Sequence, residues 1–227
     1  MTVISIKDIE KVYNDSEVEV HAVNGIDLNV EEGEFAAIVG PSGSGKTTLL
    51  NMLGGLDTPS AGSIEIGGTE LAELKPSQLI DFRLQNIGFV FQAYNLIPVL
   101  TAKENVEFIM QLQGKSKTER AERSKALLEA VGLGDRMDAR PSRLSGGQQQ
   151  RVAVARALAS KPKFVLADEP TANLDSKSTE NLLDIMEKLN KEEKITFIFS
   201  THDARVVKKA RRVITIEDGR VISDERK

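Results

Sequence analysis

The chain has 227 residues, of which 40% are hydrophobic and 28% charged, and its formal net charge at pH 7 is −4. This balance is typical of a globular protein and excludes a disordered or fibrous chain, while the acidic charge gives no overall attraction to nucleic acid. The absence of cysteine excludes disulfides, thiolate zinc sites and cysteine nucleophiles, and eight Phe and two Tyr without Trp are few for a base-stacking surface.

The N-terminal segment MTVISIKDIEKVY carries charges that interrupt any signal-peptide core. No stretch of the chain reaches the roughly 18 apolar residues that a membrane helix requires. We therefore expect a protein that is soluble by itself and reaches a membrane only through a partner.

Alternating apolar residues in the first 30 positions, Val18 among them, predict half-buried antiparallel strands, with a turn at Asn14-Asp15-Ser16. A short apolar strand, FAAIV, then leads into a glycine-rich loop and a helix from Lys46 to Leu56. Two further strands are predicted at GSIEIGG (62–68) and IGFVF (87–91).

The pattern becomes helical from Thr101 to about Leu133, where Gly114 and Gly132 interrupt it. The residues spaced for amphipathic helices are Leu112, Leu127, Leu128 and Val131. Another helix is predicted to begin at Ser145 and to end near Lys161-Pro162.

The predicted elements after residue 163 alternate between strands and helices. They are the strands FVLA (164–167), ITFIF (195–199), VITIE (213–217) and RVIS (220–223), with helices at about 177–191 and 203–209. Strands separated by helices indicate a largely parallel sheet with helices on both faces. The stretch from about 92 to 160 is then a helical insertion into an α/β core.

The segment GPSGSGKTT (40–48) fits the pattern G-x-x-x-x-G-K-[ST], in which glycines let backbone N–H groups face phosphate oxygens at a helix start. Lys46 is expected to reach the β- and γ-phosphates, and Thr47 to bind Mg²⁺. A glycine-rich turn with an incidental lysine is the alternative. The predicted phosphate-binding residues are Gly40, Ser42, Gly43, Ser44, Gly45, Lys46, Thr47 and Thr48.

The segment FVLADE (164–169) places two carboxylates directly after four apolar residues. A buried strand that ends in aspartate is typical of the second Mg²⁺-binding element of P-loop NTPases, so Asp168 is predicted on the metal side. Strand alternation directs Glu169 toward a different face, where it is expected to polarise the attacking water. A solvated strand end is the alternative.

The segment LSGGQQQR (144–151) begins the helix predicted at Ser145, which is suited to cap it. Gly146 and Gly147 leave backbone donors exposed at the helix start, which predicts a second anion site. An ordinary cap and turn is the alternative.

Together these motifs resemble the set found in ATP-binding-cassette (ABC) ATPase subunits, and they stand in that family's order. They are GPSGSGKTT (40–48), Gln92, LSGGQ (144–148), FVLADE (164–169), ANLD (172–175) and His202. The resemblance implies an ATPase that uses ATP and Mg²⁺. It also implies an α/β fold, a P-loop NTPase core with a mostly parallel sheet, an N-terminal antiparallel β subdomain and an inserted α-helical subdomain.

The resemblance further implies one ABC ATPase domain over residues 1–227. Its catalytic core, with the antiparallel β part, covers about 1–91 and 161–227, and the helical subdomain covers about 92–160. Tyr13 matches the family's adenine-stacking aromatic residue, although a strand-edge cap is an alternative.

Gln92 matches the Q-loop glutamine, which contacts Mg²⁺ or the water and senses the membrane subunit; a surface polar residue is the alternative. His202 matches the switch histidine, which contacts the γ-phosphate and orients Glu169 and the water. The implied catalytic residues are Glu169, His202, Gln92 and Lys46, and the implied metal-binding residues are Thr47, Gln92 and Asp168.

The signature segment Ser145, Gly146, Gly147 and Gln148 matches the part of the family that closes over ATP held by the opposite subunit. Asp175 matches the D-loop aspartate, another residue expected at the nucleotide. His21 belongs to no motif and is interpreted as structural. The basic cluster Lys208-Lys209-Arg211-Arg212 is interpreted as a solvated face.

The family's arrangement implies an ATP-dependent head-to-tail homodimer that drives a separate integral membrane permease or mechanotransmission subunit. The expected location is cytoplasmic, peripheral on the cytoplasmic face of the cell membrane through that subunit. No nucleic acid partner is expected.

The run FQAYNLIPVLTAKENVE (91–107) most resembles the group that serves lipoprotein release, macrolide export and related efflux. The apolar stretch Leu96–Leu100 is expected to form part of the docking site for the membrane subunit, with core packing as the alternative. Ala172 and Arg143 depart from the group's common residues but remove no catalytic group. A soluble ABC ATPase of iron–sulfur assembly and a division-associated signalling ATPase remain alternatives.

Overall fold

The computed structural model describes residues 1–14 and 19–227. Asp15 and Ser16 of the predicted turn, and Val18 of the predicted strand, therefore lie outside the described residues. The fold is α/β, as predicted, with one antiparallel sheet, one mainly parallel sheet and helices packed on them.

The antiparallel sheet comes from the first part of the chain. Strand β1 (Thr2–Tyr13) pairs with β2 (Val20–Glu31) on one side and with β4 (Ala61–Ile66) on the other, and β4 pairs with β5 (Thr69–Glu70). Alternate residues of β1 such as Ile4 and Ile6 are buried, which is why the period-2 pattern was visible in the sequence.

The second sheet has the order β10-β9-β3-β8-β7-β6. Its neighbouring strands run parallel, except that β9 and β10 form an antiparallel hairpin. Its strands are β3 (Phe35–Val39), β6 (Ile87–Val90), β7 (Phe164–Asp168), β8 (Thr196–Ser200), β9 (Arg212–Glu217) and β10 (Arg220–Arg226).

The helices follow the strands as connections and as an insertion between β6 and β7. They are α1 (Lys46–Leu53), α2 (Pro76–Asn86), α3 (Ala102–Leu112), α4 (Lys117–Ala130), α5 (Gly146–Ala159), α6 (Ser176–Glu193) and α7 (Ala204–Lys209). Within the described residues, none of these helices has the length and apolar content needed to cross a bilayer.

The parallel sheet separates two hydrophobic cores. On β8, Phe197 and Phe199 join the core beneath α3 to α7, whereas Ile198 joins the core shared with α1 and the antiparallel sheet. Strand β7 divides in the same way, because successive side chains point to opposite faces. Both faces are therefore covered, which explains the continuous apolar runs of these strands.

Helix α2 was missing from the sequence prediction. None of its residues is buried, and Ile80 is largely exposed, so it has no apolar stripe that periodicity could detect. Local signals were present, because Pro76 occupies the first helical turn and the Gln78 side chain accepts a hydrogen bond from Lys75 N at 2.9 Å.

Two predictions about helices were wrong in detail. Helix α1 ends at Leu53 rather than Leu56, because Gly54 caps it and Gly55 adopts a left-handed backbone with φ of 60°. Leu112 is 56% exposed, since the buried face of α3 passes through Val106 and Met110 instead.

The interpretation of the basic cluster as a solvated face is wrong in part, because Lys208 and Arg211 are exposed but Lys209 and Arg212 are not. Arg212 is buried, and its guanidinium donates to both carboxylate oxygens of Asp224, at 2.8 and 2.7 Å, and to Glu34 Oε2 at 2.8 Å. Lys209 pairs with Asp184 at 2.7 Å. These cations therefore fasten the edge of the parallel sheet and helix α7 to their neighbours.

The parallel strands position the candidate site. The carboxyl ends of β3, β8 and β7 lie side by side at one edge of the sheet. The glycine-rich loop follows β3, Glu169 follows β7, and Thr201 and His202 follow β8. This edge is the usual ligand site of open α/β sheets.

Candidate functional site

The glycine-rich loop between β3 and α1 folds tightly against neighbouring backbone. Gly40 has φ of 150° and Gly45 has φ of 97°. A Cβ atom at Gly40 would lie 2.0 Å from the carbonyl oxygen of Ile216, and one at Gly45 would lie 2.2 Å from that of Ala22. The loop therefore requires glycine at both positions.

Lys46, the first residue of α1, is buried and directs its ammonium back over the loop. Its Nζ donates to the carbonyl oxygens of Gly40 at 3.0 Å and Pro41 at 2.7 Å, and lies 3.5 Å from Ser44 Oγ. A cation held in this place, beside loop N–H groups and a helix N-terminus, fits a bound polyphosphate.

Thr47 and Asp168 bring oxygen atoms together from α1 and β7. The Thr47 hydroxyl lies 3.3 Å from each carboxylate oxygen of Asp168. Among the described residues, no three His, Cys, Asp or Glu side chains cluster as a metal cage. Such a sparse oxygen set fits Mg²⁺, which keeps waters and takes substrate phosphates as its other ligands.

Glu169 stands immediately after β7 and is held by two neighbours. Its Oε1 lies 2.7 Å from His202 Nδ1, and its Oε2 accepts a hydrogen bond from Thr201 Oγ1 at 3.0 Å. The different directions of Glu169 and Asp168 were attributed from the sequence to strand alternation, and that reason is wrong. Strand β7 ends at Asp168, and Glu169 has a left-handed backbone with φ of 44°. Such strain is typical of functional positions.

Most of the residues described above line one cavity of about 670 Å³, here called the phosphate-loop cavity. Ser44 is buried behind the loop, and Asp168 reaches the site through Thr47. The predicted residues that line the cavity are Gly40, Ser42, Gly43, Gly45, Lys46, Thr47, Thr48, Gln92, Glu169 and His202.

Besides Pro41, which stands inside the GPSGSGKTT segment, four lining residues were absent from the sequence prediction: Val20, His21, Ala22 and Ser200. The first three come from β2, which the loop touches through Ala22, and Ser200 is the last residue of β8. No local motif marks them. His21, interpreted as structural from the sequence, is exposed at the cavity instead.

Tyr13 lies beside this cavity rather than in its lining. Its cross-strand partner on β2 is Val20, a lining residue, and its hydroxyl donates to Asp57 Oδ2 at 2.7 Å. Burial and this carboxylate raise the pKa of the Tyr13 hydroxyl. The ring is thus anchored at the cavity mouth, and its stacking on adenine remains a prediction.

The signature segment forms the N-terminus of α5. Ser145 Oγ accepts a hydrogen bond from Gln148 N at 3.3 Å, and Gln148 Oε1 accepts one from Ser145 N at 2.8 Å, which is a capping box. A second cavity of about 230 Å³, here called the signature cavity, is lined by Ser145, Gly147, Gln148, Arg151, Lys177, Ser178 and Asn181.

Asp175 belongs to the signature side of the molecule. It caps α6, and its carboxylate accepts hydrogen bonds from Ser178 N at 2.9 Å and Ser178 Oγ at 2.6 Å. These bonds lower the pKa of the Asp175 carboxyl. The two cavities have no lining residue in common, so the structure does not bring the signature and the phosphate loop together within one chain.

The segment after Gln92 connects the two sides. The Gln92 carbonyl accepts a hydrogen bond from Asn173 Nδ2 at 3.0 Å. Tyr94 and Asn95 both have left-handed backbone, with φ of 42° and 50°, and their carbonyls accept hydrogen bonds from the guanidinium of Arg156. This segment is therefore clamped between the ANLD segment and α5.

Comparison with known proteins gives a consistent result. The family model described as ABC transporter matches residues 23–172. An uncharacterized ABC transporter ATP-binding protein from Thermotoga maritima is 49% identical over 225 residues, which cover 99% of this chain and 96% of that protein. The macrolide export ATP-binding/permease protein MacB from Aggregatibacter actinomycetemcomitans is 48% identical over all of this chain.

The chain covers 35% of that MacB protein, so it spans about a third of this relative's length. Among solved structures, the dimeric post-hydrolysis state of the ATP-binding cassette MJ0796, bound to ADP and Pi, is similar with a TM-score of 0.89. It is 42% identical, and the similarity covers 98% of each chain.

Proposed function

The chain belongs to the ABC transporter family, and from this premise we propose that it dimerises on ATP to drive a membrane permease in export, lipoprotein release or efflux. It is an ABC transporter ATPase that acts on ATP with Mg²⁺. The similarity to MacB, whose name includes both an ATP-binding part and a permease, supports the proposed export role.

One observation carries the proposal of a dimer. The phosphate loop and the signature line two separate cavities, although both are helix N-termini suited to an anion. In a head-to-tail dimer, the signature cavity of one copy faces the phosphate-loop cavity of the other, and each ATP is held by both chains. The similar MJ0796 cassette, whose solved structure is a dimer bound to ADP and Pi, supports dimerisation.

Each predicted residue then receives a proposed role. The loop N–H groups and Lys46 hold the phosphates, while Thr47, Asp168 and Gln92 supply the metal side. Tyr13 stacks on adenine. The second copy contributes Ser145, Gly146, Gly147, Gln148 and Asp175.

Glu169 is the proposed general base. Water attacks the γ-phosphorus, the bond from that phosphorus to the bridging oxygen breaks, and a proton of the water passes to Glu169. His202 and Thr201 each bond one carboxylate oxygen, so they fix the orientation of this group. When bound, Mg²⁺ neutralises charge on the phosphate oxygens.

The proposed roles also divide the chain into a catalytic core and a helical subdomain. We assign residues of about 1–91 and 161–227 to the catalytic core with its antiparallel β part, and about 92–160 to a helical subdomain within the single domain 1–227. The segment after Gln92 would transmit motion between them, because Arg156 and Asn173 hold it from two sides.

A mixing experiment tests the composite site. Lys46→Ala removes the phosphate-loop cation. Ser145→Asp keeps an N-cap residue but places a negative charge where the γ-phosphate is expected, and Ser145→Asn is its neutral, cap-preserving control. ATPase activity is measured for each variant alone and for equimolar mixtures of the charged variant with Lys46→Ala.

Lys46→Ala alone and Ser145→Asp alone should each lose most ATPase activity, whereas Ser145→Asn should retain it. A mixed dimer contains one intact composite site, so the mixture should be clearly more active than the mean of its two components. A mixture no more active than that mean would refute the head-to-tail dimer.

The permease contact has a separate test. Val99 is 69% exposed, and Leu96 is half-buried against the core, so Val99→Asp can disturb docking without disturbing folding. Ile222→Asp is the matched control, because Ile222 is also exposed and lies on β10, at the opposite edge of the sheet from β6. Copurification with the membrane permease should fall for Val99→Asp alone, and equal copurification of both variants would exclude this docking site.

A further inference from the structure

Ser200 occupies a central place at the edge of the parallel sheet. It ends β8, where its register partners are Ile38 on β3 and Asp168 on β7. Strand β3 leads into the phosphate loop, and β7 ends in the metal-side carboxylate. Ser200 therefore lies between the strand that carries the phosphate-binding loop and the strand that carries Asp168.

The hydroxyl of Ser200 has no hydrogen-bond partner among the described residues. The side chain is only 1% exposed, so bulk water does not replace the missing partner. A buried hydroxyl without a partner destabilises the folded state, and alanine would avoid that cost in the same space. The stability of the unliganded chain therefore gives no reason for serine at this position.

The neighbouring hydroxyls are already engaged. Thr47 Oγ1 contacts the Asp168 carboxylate, and Thr201 Oγ1 donates to Glu169. Ser200 lines the phosphate-loop cavity with Lys46 and Glu169, and its hydroxyl can donate one hydrogen bond and accept others. The hydroxyl is thus available for an oxygen atom of a ligand bound in this cavity.

We propose that Ser200 Oγ donates a hydrogen bond to the γ-phosphate of bound ATP. The position favours this end of the nucleotide, because Ser200 stands between the phosphate loop and the strand end that carries Asp168 and the proposed base. A hydroxyl that donates to a phosphate oxygen forms a charge-assisted bond, which is stronger than a neutral one. Ser200 would then help the site distinguish ATP from ADP.

The test compares nucleotide binding and thermal unfolding of Ser200→Ala with the original chain. Without nucleotide, the variant should melt at a higher temperature, because it no longer buries an unpaired hydroxyl. Its affinity for a non-hydrolysable ATP analogue with Mg²⁺ should fall by about 10-fold, the usual scale of a bond to a charged group. Its affinity for ADP with Mg²⁺ should not change.

Thr179→Val is the matched control. Thr179 on α6 is also buried and also has a hydroxyl without a partner among the described residues, but it does not line the phosphate-loop cavity. This variant should gain thermal stability without changing affinity for either nucleotide. Ser200→Thr, which keeps a hydroxyl, should retain the original ratio of ATP-analogue to ADP affinity.

Three results would overturn the assignment. A lower melting temperature for unliganded Ser200→Ala would show that the hydroxyl has a structural partner. An unchanged affinity for the ATP analogue would show that it does not contact the nucleotide. An equal loss with ATP analogue and ADP that disappears when EDTA removes Mg²⁺ would assign the bond to a metal-bound water instead.

Discussion

The phosphate-loop cavity and the signature cavity each lie at a helix N-terminus, but the two helix N-termini are capped differently. Helix α1 has Gly45 as its N-cap, with no side chain to bond the first N–H groups. Helix α5 has Ser145, whose hydroxyl already accepts from Gln148 N. The first helix start has no side chain that competes for its N–H groups, whereas in the second the capping box engages the N–H groups of Ser145 and Gln148.

The surroundings differ as well. The phosphate-loop cavity gathers Lys46 from the start of α1, Glu169 from the segment after β7 and His202 from the segment after β8. The signature cavity is lined, in the described part of the chain, by polar and basic residues such as Arg151 and Lys177. One cavity therefore contains groups for chemistry, and the other is suited only to recognise an anion. In the proposed scheme, each chain carries a reactive half, at the phosphate-loop cavity, and a recognising half, at the signature cavity.

The largest effect is expected from Glu169→Gln, which removes the proposed base from the reactive half. ATP turnover should fall by about 10²- to 10⁴-fold, the usual contribution of a general base. ATP affinity should be retained, because the phosphates are held by other groups, and the variant should accumulate as an ATP-stabilised dimer. Steady-state ATPase assays and light scattering with and without ATP check both expectations, and near-normal turnover would remove Glu169 from the proposed role.

The next effect is expected at Asp203, beside the reactive half, and concerns how the free energy of unfolding depends on pH. Asp203 accepts hydrogen bonds from Arg205 and from Thr171 Oγ1 at 2.9 Å, and its N–H donates to Thr201 Oγ1 at 3.0 Å. These bonds, chiefly those from Arg205, lower the pKa of the Asp203 carboxyl to about 2. Since the folded pKa is depressed, the contribution is present above the unfolded value near 4 and is lost as pH falls toward 2.

Asp203→Asn should therefore reduce the free energy of unfolding at pH 6 by about 2 kcal/mol and flatten its fall between pH 5 and pH 2. Urea unfolding at several pH values measures this. The exposed residue Asp138 offers a control, because Asp138→Asn should leave the free energy of unfolding at pH 6 nearly unchanged. Parallel profiles for Asp203→Asn and the original chain would contradict the assignment of this carboxylate.

A smaller effect is expected at the recognising half. Ser145→Ala removes the side-chain cap of α5 and should lower the free energy of unfolding by about 1 kcal/mol, whereas Ser145→Asn should leave it nearly unchanged. Urea unfolding of both variants measures the difference. Equal stabilities would show that the capping box at the signature contributes nothing, and the contrast between the two helix starts would lose its energetic basis.

Most residues of the two cavities were predictable from the sequence, because they lie in short contiguous motifs. The strand before Gly40, the helix after Gly45 and the strand before Asp168 follow from short segments with fixed spacing. The ends of β3, β7 and β8 meet because parallel strands share an edge, which is a general property of the fold class.

Other features depended on long-range contacts that no segment reveals. Ser200 joins the cavity only because β8 lies between β3 and β7. Arg212 can be buried because Glu34, just before β3, and Asp224 on β10 both pair with its guanidinium. Helix α2 lacks a buried face altogether. His21 is the clearest case, since it sits in an ordinary alternating strand that happens to face the phosphate loop.

The smallest effect, a modest loss of ATP affinity, is expected from substitution of His21. Its size tests whether the nucleotide site of the reactive half extends to β2. Its side chain lines the phosphate-loop cavity but is exposed, with Glu19 Oε2 at 3.8 Å from its Nε2. His21→Ala should therefore weaken ATP binding by only about two- to five-fold, the scale of one solvent-screened polar contact. Glu19→Ala controls for loss of the neighbouring carboxylate and should leave affinity nearly unchanged. Equilibrium titration of both variants decides the matter, because an unaltered affinity in His21→Ala would place the boundary of the nucleotide site at the loop itself and not at β2.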